Sequence, residues 1–474
     1  MVPILRRRNK NMLWIPINRA LDIPLNKQVY QQIREKILNG TLQGGERLAS
    51  TRKLCSELNV SRNVILEAYE QLVAEGFLVS YRGSGTFVVD GAFLTQSSKV
   101  PSKRRTEEKI EEPKIDFRSG IPALSLFPRK TWAKLSHHIW NDTHPIHFGY
   151  GLPEGRYELR EVLANYLLRT RGVECHPDQI VITSGATQAL TIIARLLLSA
   201  KDKAIMEDPI TKDIQTIFTS SGASIYSIPV DQSGMMTSLL PQDQQPKFIF
   251  ITPSHQFPLG GTLPIHRRIQ LINYVRQKKC YLVEDDYDSE FRYEGPPISS
   301  LQGLDPNYVL YVGSFSKILS PALRIGYLVL PIDLVEKCRQ LKWFSDLHTP
   351  SIDQLILARF IKDGYLERHI AKMKKYYKNN RDFLIDCLQT TFSNNIKILG
   401  YSTGLHLVVE LQNINFSNAM LEKIEQFGVK VYPVEEHSIM KGNHNNRIIL
   451  GFGHLKKEDI QEGVSRLFQA IFDQ

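Results

Sequence analysis

The sequence predicts two structural classes in series, a small mainly helical unit followed by a large α/β unit. Three observations predict it. Amphipathic helical stripes with glycine stops fill residues 28–76, and two short β-rich runs around a glycine tip follow them. From Ile115 onward, apolar strand-like runs alternate with helical patterns, as in a mainly parallel sheet. The chain, at 474 residues, is also too long for a single hydrophobic core.

In the first unit, Gln28 to Leu38 carries Val29, Ile33 and Ile37 at i, i+4 and i+8, and Gly40 supplies the stop. Ser50 or Thr51 can cap a short second helix with Leu54 and Leu58 facing inward. Asn59 suits a left-handed turn, and Ser61 is placed to cap a third helix that buries Ile65, Ala68, Tyr69 and Leu72 before Gly76. The first turn of that helix exposes Arg62 and Asn63, side chains suited to phosphates and base edges in a major groove. Phe77–Tyr81 and Thr86–Val89, joined by Arg82-Gly83-Ser84-Gly85, read as a two-stranded wing. Residues 1–90 hold thirteen Lys/Arg against eight Asp/Glu, half of the chain's formal +10. Such an excess is what a duplex-binding surface needs to displace counterions.

Residues 22–90 closely resemble the winged helix-turn-helix module of GntR-type bacterial regulators. The resemblance implies DNA contacts from Arg52, Ser61, Arg62 and Asn63, with Arg82 and Gly83 following the minor groove or backbone. One departure is Ala49, where the family usually has proline. Residues 91–114 lose all apolar periodicity to charge, serine and proline, and are expected to form a flexible linker.

In the second unit, three segments converge on one chemistry. Ile180–Thr183 followed by Ser184-Gly185-Ala186-Thr187 is a strand, a small-residue turn and a helix start, whose free N–H groups make an anion site. Tyr281-Leu282-Val283-Glu284-Asp285-Asp286-Tyr287 places carboxylates at the end of an apolar strand, where open α/β sheets bind ligands. Lys317 follows the apolar run Tyr308–Val312 in Gly313-Ser314-Phe315-Ser316-Lys317, seven residues before Arg324. A strand-end lysine flanked by serines and an arginine is suited to a phosphorylated aldehyde, pyridoxal phosphate, captured as a Schiff base. Asp285 would hold the pyridine nitrogen protonated, Tyr287 the ring hydroxyl, and Ser314 and Arg324 the phosphate.

Together these segments resemble, in order and spacing, the fold-type I aminotransferases, and specifically the aminotransferase-like domain of MocR-type regulators, over residues 115–474. Further phrases carry the likeness: Asp116-Phe117-Arg118-Ser119-Gly120-Ile121-Pro122, Tyr150–Gly155 and Thr252-Pro253-Ser254-His255-Gln256-Phe257-Pro258. The resemblance implies a covalent cofactor link at Lys317 and a head-to-tail homodimer with each DNA module over the partner's cofactor domain. His255 is read either at the cofactor edge or in a structural hydrogen bond, and His406 in the core. Arg447, on a late strand, is the candidate for an effector carboxylate, with a strand-end surface pair as the other reading. The family's Glu-Asp-Pro-Gly-Tyr appears here as Glu207-Asp208-Pro209-Ile210-Thr211, so Thr211 replaces the ring that stacks on the pyridine. Asp213 falls where GABA-responsive relatives place an arginine, so GABA is not assumed to be the effector.

The longest apolar stretch, Ala189 to Ala200, is interrupted by Arg195 and is too short to span a bilayer. Five scattered cysteines suggest neither a disulfide framework nor a metal site, which points to a reducing cytoplasm. The leading reading is a transcriptional regulator that binds operator DNA and senses an amine or amino-acid effector, or pyridoxal phosphate itself. Two other readings stay open: an active aminotransferase carrying a DNA module, and a DNA-binding protein whose pocket serves only dimerisation.

Overall fold

The computed structural model describes residues 15–94 and 115–472. The chain divides into two units, residues 1–109 and 110–474. Most of the expected linker lies outside the described residues.

In the first unit, helices α1 (Leu25–Leu38), α2 (Thr51–Leu58) and α3 (Arg62–Ala74) precede a hairpin of β1 (Leu78–Tyr81) and β2 (Gly85–Val88). The α1 stripe of Val29, Ile33 and Ile37 packs in one core with Leu54 of α2 and Ile65, Ala68, Tyr69 and Leu72 of α3. Ser50 caps α2 by accepting from the Lys53 N–H at 3.3 Å, and Asn59 ends it at φ 51°, ψ 48°. Asparagine tolerates that left-handed geometry better than most residues. Ser61 corrects an expectation: it occupies the N-cap position of α3, but its side chain makes no capping bond. The turn closes instead through its carbonyl, which accepts the Val64 N–H at 3.2 Å. The Ala49 carbonyl, just before α2, accepts the Tyr69 hydroxyl of α3 at 2.9 Å.

The second unit opens with a short strand, β3 (Ile115–Asp116), then α4 (Arg129–Asp142) and α5 (Tyr157–Arg171). Its large sheet uses β4 (Ile180–Thr183), β5 (Lys203–Asp208), β6 (Ser224–Asp231) and β7 (Gly234–Met235). The remaining strands are β8 (Phe248–Ile251), β9 (Tyr281–Asp286), β10 (Val309–Ser314) and β11 (Gly326–Val329). They lie in the order β4-β11-β10-β9-β8-β5-β6-β7. From β10 to β6 all pairs are parallel, while β11 runs antiparallel to both neighbours. Consequently β4, β5, β8, β9 and β10 all end on one edge. The crossovers are α6 (Ala186–Leu197) after β4, α7 (Lys212–Thr219) after β5 and α8 (Ile265–Lys278) after β8. Helix α9 (Ile332–Asp346) follows β11.

Strand periodicity sorts the core. Val181, Val283, Leu310 and Val312 face α6, α7 and α9, with Leu190, Ile193, Phe218 and Cys338. Their neighbours in sequence point the other way: Ile180, Ile182 and Tyr311 pack with α5 residues, and Ile249, Leu282 and Val309 with α8 residues. Burial on both faces explains why these strands read as continuous apolar runs.

Helices α10 (Ser351–Lys362) and α11 (Tyr365–Phe392) lead to strands β12 (Ile396–Leu399) and β13 (His406–Leu411). Then come α12 (Asn418–Gln426), β14 (Val429–Lys430), β15 (Tyr432–Pro433), β16 (Arg447–Gly451) and α13 (Lys457–Phe472). An antiparallel sheet of order β12-β13-β16-β15 results, and β14 pairs in parallel with β3. The segment after Asp116 also lies beside the end of β16, where the Gly451 N–H donates to the Phe117 carbonyl at 2.7 Å. No described helix is long and apolar enough to cross a membrane.

Candidate cofactor pocket and DNA-reading face

A cavity of about 430 Å³ opens at the strand-end edge of the large sheet. Its lining includes Asp285, Tyr287 and Lys317, together with Ala186 and Thr187 from the head of α6. The register explains the convergence. Val312 of β10 pairs with Asp285 of β9, so the chain leaving β10 carries Lys317 past the end of β9.

Lys317 donates from Nζ to the Gly120 carbonyl at 2.6 Å. Burial holds its pKa below the usual lysine value, the Asp288 and Asp285 charges pull it back up, and Arg118 opposes them. A depressed pKa raises the share of neutral amine, the form that attacks a carbonyl. Asp285 is only 8 % exposed, and its Oδ1 has no hydrogen-bond partner. Burial first, then repulsion from Asp286 and Asp288, pushes its pKa up to about 7. An orphaned, buried carboxylate oxygen beside a lysine amine fits a protonated pyridine nitrogen. The adjacent acids are structural. Glu284 accepts the backbone N–H groups of Leu301 and Gln302 at 2.9 and 3.0 Å. Asp286 accepts from Arg171 Nε at 2.7 Å and from the Tyr311 hydroxyl at 2.5 Å.

At the head of α6, Gly185 takes φ 88°, ψ 172°, and no side chain caps the helix. A Cβ there would stand 3.0 Å from Arg324 Nη2. Arg324 donates to the Ser184 carbonyl at 2.5 Å. Uncapped N–H groups, a missing Cβ and a guanidinium in one place fit a phosphate. Ser184 is partly committed: Gln188 accepts its N–H at 2.7 Å, and its hydroxyl points to Asp346 at 3.4 Å. Asp346 in turn pairs with Lys342, which is wholly buried. Ser314 bonds the Ser316 hydroxyl at 2.9 Å and is not among the residues that line the cavity.

Ser314, expected at the phosphate, is thus turned to the anchor loop instead, and two further expectations change. His255 does not line the cavity; it stacks behind Tyr287 with ring centroids 5.7 Å apart. Its Nδ1 lies 3.0 Å from Asp288 Oδ1, and the Tyr287 hydroxyl donates to its backbone carbonyl at 2.9 Å. Arg447 is not brought to the pocket. Its Nε donates to Glu410 at 2.8 Å, because β13 and β16 pair in a register that sets these residues opposite each other. The guanidinium that does line the cavity belongs to Arg118. His406 is buried, as expected, with Nε2 3.0 Å from the Pro258 carbonyl, yet its ring also lines the cavity. Thr211 lines it as well and caps α7, its hydroxyl accepting the Ile214 N–H at 3.4 Å. Sequence reasoning assigned no role to Arg118, Gly120, Tyr432 or His437. For Arg118 and Gly120 the signal was present in the phrase Asp116–Pro122, which no local rule ties to a site.

In the first unit, Arg52, Ser61, Arg62 and Asn63 are exposed on α2 and at the start of α3, and Arg82 and Gly83 are exposed at the hairpin tip. The three arginines enter no ion pair among the described residues.

A winged helix-turn-helix in one unit and a fold-type I aminotransferase-like unit in the other define a class of DNA-binding regulator that carries an aminotransferase-like domain. Residues 112–467 match the family model for aminotransferase class I and II, and residues 25–88 match that for bacterial regulatory proteins of the gntR family. The chain is 35% identical to the uncharacterized HTH-type transcriptional regulator YdeL of Bacillus subtilis (strain 168), covering 95% of this chain and 97% of that protein. It is 31% identical to the probable rhizopine catabolism regulatory protein MocR of Rhizobium meliloti, over 96% of this chain and 95% of that one. Among solved structures, kynurenine aminotransferase of Pyrococcus horikoshii, in complex with PMP, superimposes with a TM-score of 0.71 at 29% identity. That likeness covers 76% of this chain and 91% of the enzyme. The chain therefore belongs to the MocR-type subfamily of GntR transcriptional regulators.

Proposed function

We propose that this regulator binds pyridoxal phosphate at Lys317 and uses the occupied pocket to sense an amine or amino-acid effector, or the cofactor itself, while its first unit grips operator DNA. The observation that carries this reading is Asp285 Oδ1, buried without a partner in the cavity that holds Lys317. When bound, the cofactor supplies an aldehyde for covalent capture of amines and an electron-withdrawing ring. The chain's own residues have separable tasks. Asp285 holds a proton at the pyridine nitrogen, and Tyr287 offers its hydroxyl oxygen to the ring. The N–H groups of Ala186 and Thr187, with Gly185, Ser184 and Arg324, hold the phosphate, and Lys317 provides the covalent anchor. Ser314 supports the anchor loop through Ser316, and His255 braces Tyr287 from behind.

On the DNA side, Arg62 and Asn63 would read the major groove, with Arg52, Ser61, Arg82 and Gly83 on the backbone and minor groove. The dimer arrangement expected for the subfamily, head to tail, gives effector binding a global state to act on. An effector shifts operator occupancy only as far as its affinity differs between the arrangements. Cytoplasmic residence follows from this role.

The test is spectroscopic. Purified protein mixed with pyridoxal phosphate should show the visible absorption band of the lysine-bound cofactor, and Lys317→Ala should lose the band while still binding DNA. An unchanged band in the variant overturns the assignment of Lys317. Steady turnover with an amino donor and a keto acid, at about 1–10³ per second, would favour the aminotransferase reading instead.

A further inference from the structure

Besides the buried Asp285, two charged side chains line the cavity without a partner, Arg118 and Asp213. Neither enters an ion pair or a side-chain hydrogen bond among the described residues. The other ionisable groups of the lining are engaged. Lys317 is bonded to the Gly120 carbonyl, Tyr287 to the His255 carbonyl, His406 to the Pro258 carbonyl and Tyr432 to Asp116. Asp285 is assigned above to the pyridine nitrogen. His437 offers no charge near neutral pH, since burial pushes its pKa down to about 4 even though Asp213 pulls it upward.

The cavity therefore presents one free cation and one free anion among its described lining, and the wall near Asp213 is apolar. Leu190 of α6 with Ile210, Ile214 and Ile217 on and before α7 make that wall. Thr211, at the head of α7, lines the same cavity and takes up less room there than an aromatic ring would. Arg118 lines the same cavity, and its charge is felt by Lys317. The cleft of about 430 Å³ falls within the range of small-ligand sites and is shared between the cofactor and the effector.

We infer that the effector is an α-amino acid whose side chain is a short methylene chain ending in an ammonium group. Its carboxylate pairs with Arg118, its methylenes lie along Leu190, Ile214 and Ile217, and its distal ammonium pairs with Asp213. Guanidinium and carboxylate match as planar bidentate partners. The apolar wall favours methylenes over polar chains, and Asp213 disfavours a dicarboxylate by like-charge repulsion. The inference rests on the cofactor-pocket reading above.

Calorimetric titration of the cofactor-loaded full chain tests it, with lysine, ornithine, norleucine and glutamate as probes at low salt. Lysine or ornithine should bind roughly two- to fivefold more tightly than norleucine, the yield of one exposed ion pair at low salt, and glutamate most weakly. Asp213→Asn should erase the gap between lysine and norleucine while leaving norleucine unchanged. Asp213→Lys should move the preference to glutamate, and Arg118→Gln should weaken all four alike. Asp213 is exposed on a helix surface, so these variants are expected to fold. Equal affinity for lysine and norleucine, in protein that carries the visible band, overturns the inference and leaves the pocket reading standing. So does a gap that survives Asp213→Asn. Protein that takes up no pyridoxal phosphate overturns the pocket reading, and this inference with it.

Discussion

Lys317 and Gly120 lie 197 residues apart in sequence, and the lysine Nζ donates to the glycine carbonyl at 2.6 Å. Gly120 has φ 70°, and a Cβ there would stand 2.6 Å from that same Nζ. Gly120→Ala should lower stability by roughly 1–2 kcal/mol through left-handed strain and displace the amine from its carbonyl. A lower melting temperature, together with slower growth of the visible band on adding pyridoxal phosphate, checks both effects.

Asp285 should make stability depend on pH in the cofactor-free protein. Its carboxyl rises from 3.8 to about 7 on folding, so the folded state favours the protonated form. The stability it allows is fully present below about pH 4 and is lost as pH rises through 7. The amount is roughly 2–4 kcal/mol. Asp285→Asn should flatten this slope in thermal melts between pH 5 and 8, and should weaken cofactor binding. A slope unchanged by the substitution removes Asp285 as its source.

Arg324 stands over Gly185 at the head of α6, and it should matter only to ligands with a phosphate. Arg324→Gln is expected to cost about 1.5–3 kcal/mol against pyridoxal phosphate, ten- to a hundredfold in affinity. Pyridoxal without the phosphate should bind both proteins alike. Parallel absorbance titrations with the two aldehydes separate the contributions.

Thr211→Tyr restores a ring where the subfamily usually has one. Stacking is worth roughly 0.5–1.5 kcal/mol, a factor of about two to twelve in cofactor affinity. Loss of the weak cap on Ile214 offsets part of this gain. Equilibrium dialysis against pyridoxal phosphate measures the net change, which is expected to be tighter binding.

Arg62 and Arg82 should divide in their effects on DNA. Arg62→Ala is expected to cost roughly 1–3 kcal/mol on the operator and relax sequence preference, whereas Arg82→Ala should reduce the salt slope by about 1. Neither side chain is buried or paired, so both variants should melt like the parent. Mobility-shift titrations at several salt concentrations give both quantities.

Much of the architecture was legible in the chain alone because local rules carry it. The i, i+4, i+8 stripe of Val29, Ile33 and Ile37, the left-handed Asn59 and the glycine tip of the hairpin are short-range signals, and they stand where the pattern puts them. The strand-end positions of Asp285 and Lys317 were readable for the same reason, since an apolar run followed by polar residues marks the edge of a buried sheet. What sequence periodicity could not reach was contact at long range. Arg447 could be read as an effector ligand or a surface pair, and antiparallel register decided it by placing Glu410 opposite. His255 could be read as a cofactor contact or a structural donor, and its contacts with Asp288 and Tyr287 decided for the second. Arg118 and Gly120 entered the pocket only because β3 pairs with β14 and brings the following loop back across the unit. Local propensity acts over a few residues and is printed in the chain. Register and domain closure bring together side chains hundreds of positions apart, and only the tertiary structure decides which of those charges find partners and which face the cavity alone.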